Sequence, residues 1–203
     1  MRLRIFLILL CSLSGCASLS KKINPDIISY HFKNDLKNTL SEDKDVVTYY
    51  ISNNIVPNSE ILRILKGNYS ESDDNSLNMT AASKYYSSEL EEEIKLDQNF
   101  NSFQKWDASE LQIVKKPNVE FLVSSSLSNS QQAFNERTFD ATRNKYYQLI
   151  IYSRPLEIAT NIYALYSAGK RTYSGISLPS VYIYEVKNNS IELIEKVHDQ
   201  RLY

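Results

Sequence analysis

VYIYEVKNNSIELIEKV, residues 181–197, reads as two strands joined by a two-residue turn, and its reading decides the fold. Asn188 and Asn189 tolerate positive φ, which a tight hairpin demands at its central positions. Tyr182, Tyr184 and Val186 share one face of the first strand, with Val181, Ile183 and Glu185 on the other. Both faces are largely apolar, so the sheet is expected to carry helices on one side and to be partly exposed or lined by tyrosine on the other.

Upstream, residues 146–153 and 161–168 are equally rich in β-branched and aromatic residues and are bounded by turn formers. With 180–187 and 190–197 they predict a four-strand meander. Before this region the pattern is helical. Ile28, Phe32, Leu36 and Leu40 recur every four residues and predict a helix from Pro25 or Asp26 to about Leu40. Val46, Val47, Tyr50 and Ile51 suit a second, short helix ending before Pro57. Ser59 caps a third through Ile61, Leu62, Ile64 and Leu65, which Gly67 closes. After a polar, acidic loop, Asn68 to Asn78, Thr80 caps a longer helix with Tyr86, Leu90 and Ile94 as its stripe. Asp107 and Glu110 have capping-box spacing, Leu111 to Val114 reads as a short strand, Val119 to Leu127 as strand or helix start, and Ser130 to Thr138 as helix. The expectation is therefore an α+β fold, a helical N-terminal half packed on a C-terminal antiparallel β-meander of about four to five strands.

The chain opens MRLRIFLILLCSLSGCASLS, residues 1–20, with Arg2 and Arg4 ahead of an apolar run from Ile5 to Leu10. Extended to Leu13, that run spans roughly 14 Å as a helix, too short for a hydrocarbon core of about 30 Å, and has the layout of an export signal. Leu13-Ser14-Gly15-Cys16 resembles the lipobox of bacterial lipoproteins, in which small residues precede the lipid-bearing cysteine. The resemblance implies cleavage before Cys16 and acylation of its thiol, with Leu13, Ser14 and Gly15 read by the signal peptidase. It divides the chain into a signal, 1–15, a lipidated tether, 16–24, and one globular domain, 25–203. Ala17 after the cysteine points to the outer membrane, facing the periplasm. Cys11 lies inside the apolar run and would be discarded, so the two cysteines leave no disulfide for the mature domain.

Removing Arg2 and Arg4 from the 23 basic residues leaves 21 against 24 acidic ones, and no polybasic face emerges. Nucleic acid is therefore not an expected partner. Tyrosine stands out at 15 residues against 7 phenylalanines. An A and T-rich genome explains such a bias, and so does a contact surface, because tyrosine offers large area at low conformational cost. Tyr152, Tyr163, Tyr166, Tyr182 and Tyr184, with Arg154, form the candidate contact set. Arg154, Lys170 and Arg171 are also candidates for anion binding.

From about Phe103 to Val197, the Trp-led acidic turn 106–111, the strand 111–114, the phrase Tyr152-Ser153-Arg154-Pro155 and the strand pair 161–168 and 180–187 resemble small uncharacterised lipoproteins and secreted proteins of Bacteroidetes. That group implies no activity. Catalytic candidates are sparse: the chain has two histidines, His31 and His198, and no glycine-flanked serine elbow. Glu91, Glu92 and Glu93 point in successive directions on a helix and lack a calcium-loop geometry. No catalytic residue, metal or cofactor is assigned. The leading expectation is a non-enzymatic, lipid-anchored interaction protein of the cell envelope, held at the membrane by Cys16 and meeting an envelope protein, an immunity protein or complex accessory among the options. The rival is a small-ligand or enzymatic domain with a tyrosine-lined pocket between helices and sheet.

Overall fold

Val46–Ser52, VVTYYIS, forms β1, a central strand of a seven-stranded sheet, and this reorganises the expected architecture. In the computed structural model the described residues are 26–36, 46–67, 82–96, 100–101, 104–139, 146–171, 175–188 and 190–199. A helix over 26–36, α1, ends in a π-helical turn, Phe32–Leu36. Then follow β1, α2 (Asn58–Lys66), α3 (Ser88–Leu96), two 3-10 turns (Ala108–Glu110 and Gln112–Lys115), β2 (Val119–Leu122) and α4 (Leu127–Arg137). The chain continues through β3 (Tyr146–Tyr152), β4 (Leu156–Ala159), β5 (Ile162–Arg171), β6 (Gly175–Lys187) and β7 (Ser190–His198).

The sheet order is β2-β1-β3-β5-β6-β7, with β4 paired to β5. β1 lies parallel to both β2 and β3, whereas β3, β5, β6 and β7 pair antiparallel in succession. The sheet is thus mixed and the fold α/β, not a helical N-terminal half on an antiparallel meander. The error lies in β1. Val46, Val47, Tyr50 and Ile51 satisfy a helical spacing, but a strand buried on both faces is apolar without alternation, so periodicity alone does not separate the two. The β-branched and aromatic content of the run is what the strand uses.

Each face of the sheet carries its own core. On one side Tyr50, Leu149, Ile151, Ala164, Tyr166, Val181 and Ile183 pack with Ile61, Leu65, Leu90, Ile94 and Phe134 from α2, α3 and α4. On the other side Tyr49, Ile51, Ile150, Tyr152, Tyr163, Leu165 and Tyr184 pack with Ile27, Ile28 and Phe32 of α1 and with Trp106, Leu111 and Ile113. The sheet is therefore covered on both faces, against the expectation of a single helical layer. Each fully buried large side chain of this kind contributes about 1.5–3 kcal/mol.

Smaller departures have local causes. Leu111 to Val114, expected as a strand, closes into 3-10 geometry through Val114 N to Leu111 O, 3.1 Å, and Lys116 N to Ile113 O, 3.1 Å, with Leu111 and Ile113 buried. The longer helix begins at Ser88, after Ser87 accepts from the Leu90 amide at 3.1 Å; Tyr86 precedes it, and Thr80 lies outside the described residues. α2 starts after Pro57, which supplies no side-chain cap, and ends at Gly67 with φ 81°. The hairpin turn carries Asn188 at φ 48°. β7 contains one extra residue, Ile194, because Ile183 pairs with Glu195 while Tyr184 pairs with Leu193. Such a bulge, with Glu192, Glu195 and Lys196 nearby, blunts an edge strand against pairing with another chain.

Candidate functional site

The carboxyl ends of the three parallel strands fall at Ser52, Leu122 and Tyr152. Parallel strands gather loops and helix starts at that end, which is where sheets of this kind hold ligands. Here the segment 53–56 stitches the ends together. Asn53 donates its amide to Leu122 O at 2.9 Å, Trp106 donates its amide to Asn53 O at 2.7 Å, and Val56 donates to Tyr152 O at 3.0 Å. Segment 53–56 thus runs between the Trp106 turn and the end of β3, bridged to Lys105 on one side and Ser153 on the other.

Towards α4 this edge carries a polar network. Ser52 Oγ lies 2.7 Å from Ser130 Oγ, and Ser130 Oγ lies 2.6 Å from Ser124 Oγ. Asn54 Nδ2 donates to Ser124 Oγ at 2.7 Å and to Ser130 Oγ at 3.0 Å, and Asn53 Oδ1 accepts from the Ser124 amide at 2.9 Å. Ser52 and Ser130 are fully buried. Hydroxyls can donate once and accept twice, so this short-range mesh satisfies itself and locks the α4 start onto the strand ends. Ser126 caps α4 by accepting from the Asn129 amide.

Towards α1 the same edge is aromatic. Arg154 lays its guanidinium over the Trp106 ring, 4.4 Å from the centroid, and donates to Glu110 through Nη1 and Nη2, each 3.0 Å from Oε1. Glu110 also accepts from the Asp107 amide at 2.9 Å, while Asp107 accepts from the Ser109 amide at 2.8 Å, completing the expected capping box. The Ser109 hydroxyl and amide together hold the Asp107 carboxyl below its usual range. Tyr152 is fully buried and meets His31 edge-on at 5.7 Å. Burial pushes its phenol well above the ordinary tyrosine range. His31 Nδ1 lies 2.6 Å from Tyr184 Oη, and its ring is 4.3 Å from that of Tyr182.

The predicted contact set is divided by this architecture. Tyr152, Tyr163 and Tyr184 are core residues of the α1 face and Tyr166 of the opposite face, while Tyr182 and Arg154 are partly exposed. Tyrosine abundance in these strands is therefore mostly spent inside, with Tyr152, Tyr163, Tyr166 and Tyr184 all buried. Lys170 donates to Asn135 Oδ1 at 3.0 Å, and the side chain of Arg171 lies outside the described residues. So do Leu13, Ser14, Gly15 and Cys16. The serine and asparagine network was missed by sequence reasoning. Its signal was Ser52-Asn53-Asn54 and the serine-rich run 124–130, polar clusters flanking apolar segments.

Chemically, Ser180 Oγ lies 2.9 Å from His198 Nδ1, across the β6 and β7 pair. Ser180 is 1% exposed, and the adjacent Asp199 turns away to Arg63 at 2.6 Å, so this pair lacks both substrate access and a carboxylate orienting the imidazole. Burial and then Lys196 lower the His198 imidazole from its usual value, which favours the neutral ring. Glu91 binds Lys95 at 2.6 Å and Lys66 at 3.0 Å and accepts from Tyr86, and these three hold its carboxyl down to about 2. It is a structural tie between α2 and α3. No group of three or more metal-ligating side chains occurs among the described residues, and no helix among them is long and apolar enough to cross a membrane. Comparisons with protein-family models, curated proteins and solved structures find no match to the chain.

Proposed function

We propose that the chain is a lipid-anchored protein of the bacterial cell envelope, presenting its α/β domain to another envelope protein from the membrane surface. Leu13-Ser14-Gly15-Cys16, behind a charged start and an apolar run too short to span a bilayer, is the observation that carries this reading. Two or three acyl chains on Cys16 anchor stably, because each buried methylene contributes about 0.8 kcal/mol. Ala17 favours the outer membrane by the sorting rule of enteric-type bacteria.

Contact with a partner falls to residues at the domain's margins. Tyr182, under Lys196 at 5.0 Å, and Arg154, beside Glu110, are the members of the candidate contact set that reach solvent. Replacing Cys16 with Ala tests the anchor. Metabolic labelling with palmitate marks the wild-type chain, and the C16A chain loses the label and accumulates in soluble or unprocessed form; labelling that persists in C16A would contradict the reading. Envelope crosslinking from Tyr182 and Arg154 tests the contact: a reproducible adduct at these positions, absent with a crosslinker placed at Gln132 on α4, is the expected result.

A further inference from the structure

Phe139 is one of three large apolar side chains that stand exposed among the described residues, at 84%, and Val123, at 69%, is another. The fold puts these two at opposite ends of the sheet. Val123 follows β2 at the carboxyl ends of the parallel strands. From there α4 runs back along β2, because Ser126 caps its start while Arg137, in its last turn, reaches Glu120 at 3.3 Å. Phe139 comes two residues later, toward the amino ends.

Charge separates along the same axis. Toward the amino ends lie Arg137, Lys170 where β5 ends beside the start of β3, Lys115 and Lys116 just before β2, and Lys33 next to the Phe32 ring that Lys116 covers at 5.0 Å. Glu120 and Glu136 stand among them. The carboxyl ends carry Asp107, Glu110, Glu157, Glu185 and Glu192 against Lys105, Arg154 and Lys187. The sequence leading into β1 and β3, residues 35–45 and 140–145, holds four basic and five acidic side chains, which leaves the amino ends the more basic of the two. An exposed ring set among lysines and arginine is the composition with which proteins enter a headgroup layer. Anionic headgroups attract the basic end and repel the acidic one. The tether adds proximity: α1 begins ten residues after Cys16, at most about 35 Å of extended chain, which keeps an anchored domain within about its own diameter of the bilayer.

On the lipid-anchored reading above, on which this inference rests, we propose that the amino ends of the parallel strands dock on a bilayer containing anionic phospholipid. Phe139 enters the headgroup region, the lysines and Arg137 around it face the phosphates, and the carboxyl edge with Tyr182 and Arg154 points away, toward a protein partner. The lipidated mature chain reconstituted in vesicles tests it. Its own cysteine is committed to lipid, so Phe139→Cys takes a polarity-sensitive dye at one site, and Val123→Cys carries the same dye as reference. In phosphatidylcholine vesicles containing phosphatidylglycerol, the dye at 139 shifts to the blue and the dye at 123 does not. In phosphatidylcholine alone the shift at 139 shrinks, and molar salt reverses it. A cation near such a surface contributes about fivefold to binding, so Lys33→Glu with Lys116→Glu lowers the ratio of docked to free domain at least about thirtyfold. Lys105→Glu with Lys187→Glu, the same charge change at the other end, leaves it unchanged. Equal shifts at both positions, no shift at 139, or a shift seen only in native envelopes, which would report a protein, overturns the proposal. A chain that fails to float even with phosphatidylcholine vesicles has no anchor and removes the reading together with the proposal; flotation without a dye shift at 139 removes the proposal alone.

Discussion

Asn54 shows how much of this edge depends on single polar atoms. Its side-chain amide donates to Ser124 and Ser130, and the backbone amide donates to Ser52 Oγ at 3.1 Å. Asn54→Leu leaves two hydroxyls, those of buried Ser130 and part-buried Ser124, short of a donor, an expected loss of about 1–3 kcal/mol in urea denaturation. Arg154 behaves differently, because its ion pair with Glu110 is about one-third exposed on each side. A double-mutant cycle of Arg154→Ala and Glu110→Gln should return a coupling of about 0.2–1 kcal/mol that shrinks with added salt. A coupling well above that range would mean the pair is drier than its exposure indicates. At this scale the sequence was partly legible. The capping box of Asp107 and Glu110 could be read because its spacing is local, whereas Ser52, Ser124 and Ser130 meet only after two strands and a helix have packed.

Among the elements, β1 decides the fold and also its stability. Ile51 is fully buried between neighbours on β2 and β3, so Ile51→Ala should cost about 2–5 kcal/mol, read from the denaturation midpoint. Its amides should rank with the slowest in hydrogen exchange, since β1 pairs on both sides; fast exchange there would contradict a central strand. The α2 and α3 layer has an acid limit. Glu91 titrates at about 2 instead of its usual 4.5, because Lys95, Tyr86 and Lys66 bond its charged form. A lowered carboxyl pKa adds stability that is complete above the ordinary value and fades as pH falls from about 4.5 through about 2. Glu91→Gln should therefore flatten the stability profile across that window and leave its shape near neutral pH unchanged. The strands β3, β5, β6 and β7 were visible as sequence because turn residues and β-branched runs mark them directly. β1 was hidden, because its apolar residues fit both a helical stripe and a strand buried on two faces, and the partners that choose between them lie more than sixty residues downstream.

At the scale of the whole molecule, the proposed export and lipidation motif, residues 1–16, precedes the described domain in the sequence. A domain carrying its core on both faces of the sheet needs no disulfide, which suits a chain whose mature part would retain one cysteine, committed to lipid. The most direct measurement is mass spectrometry of the N-terminal peptide from the protein isolated from membranes. The account predicts a chain beginning at Cys16 whose mass exceeds the peptide by a diacylglyceryl group, with or without a further acyl chain on the amine. A chain beginning at Met1, or at any residue other than Cys16, or a Cys16 carrying no lipid, would contradict it.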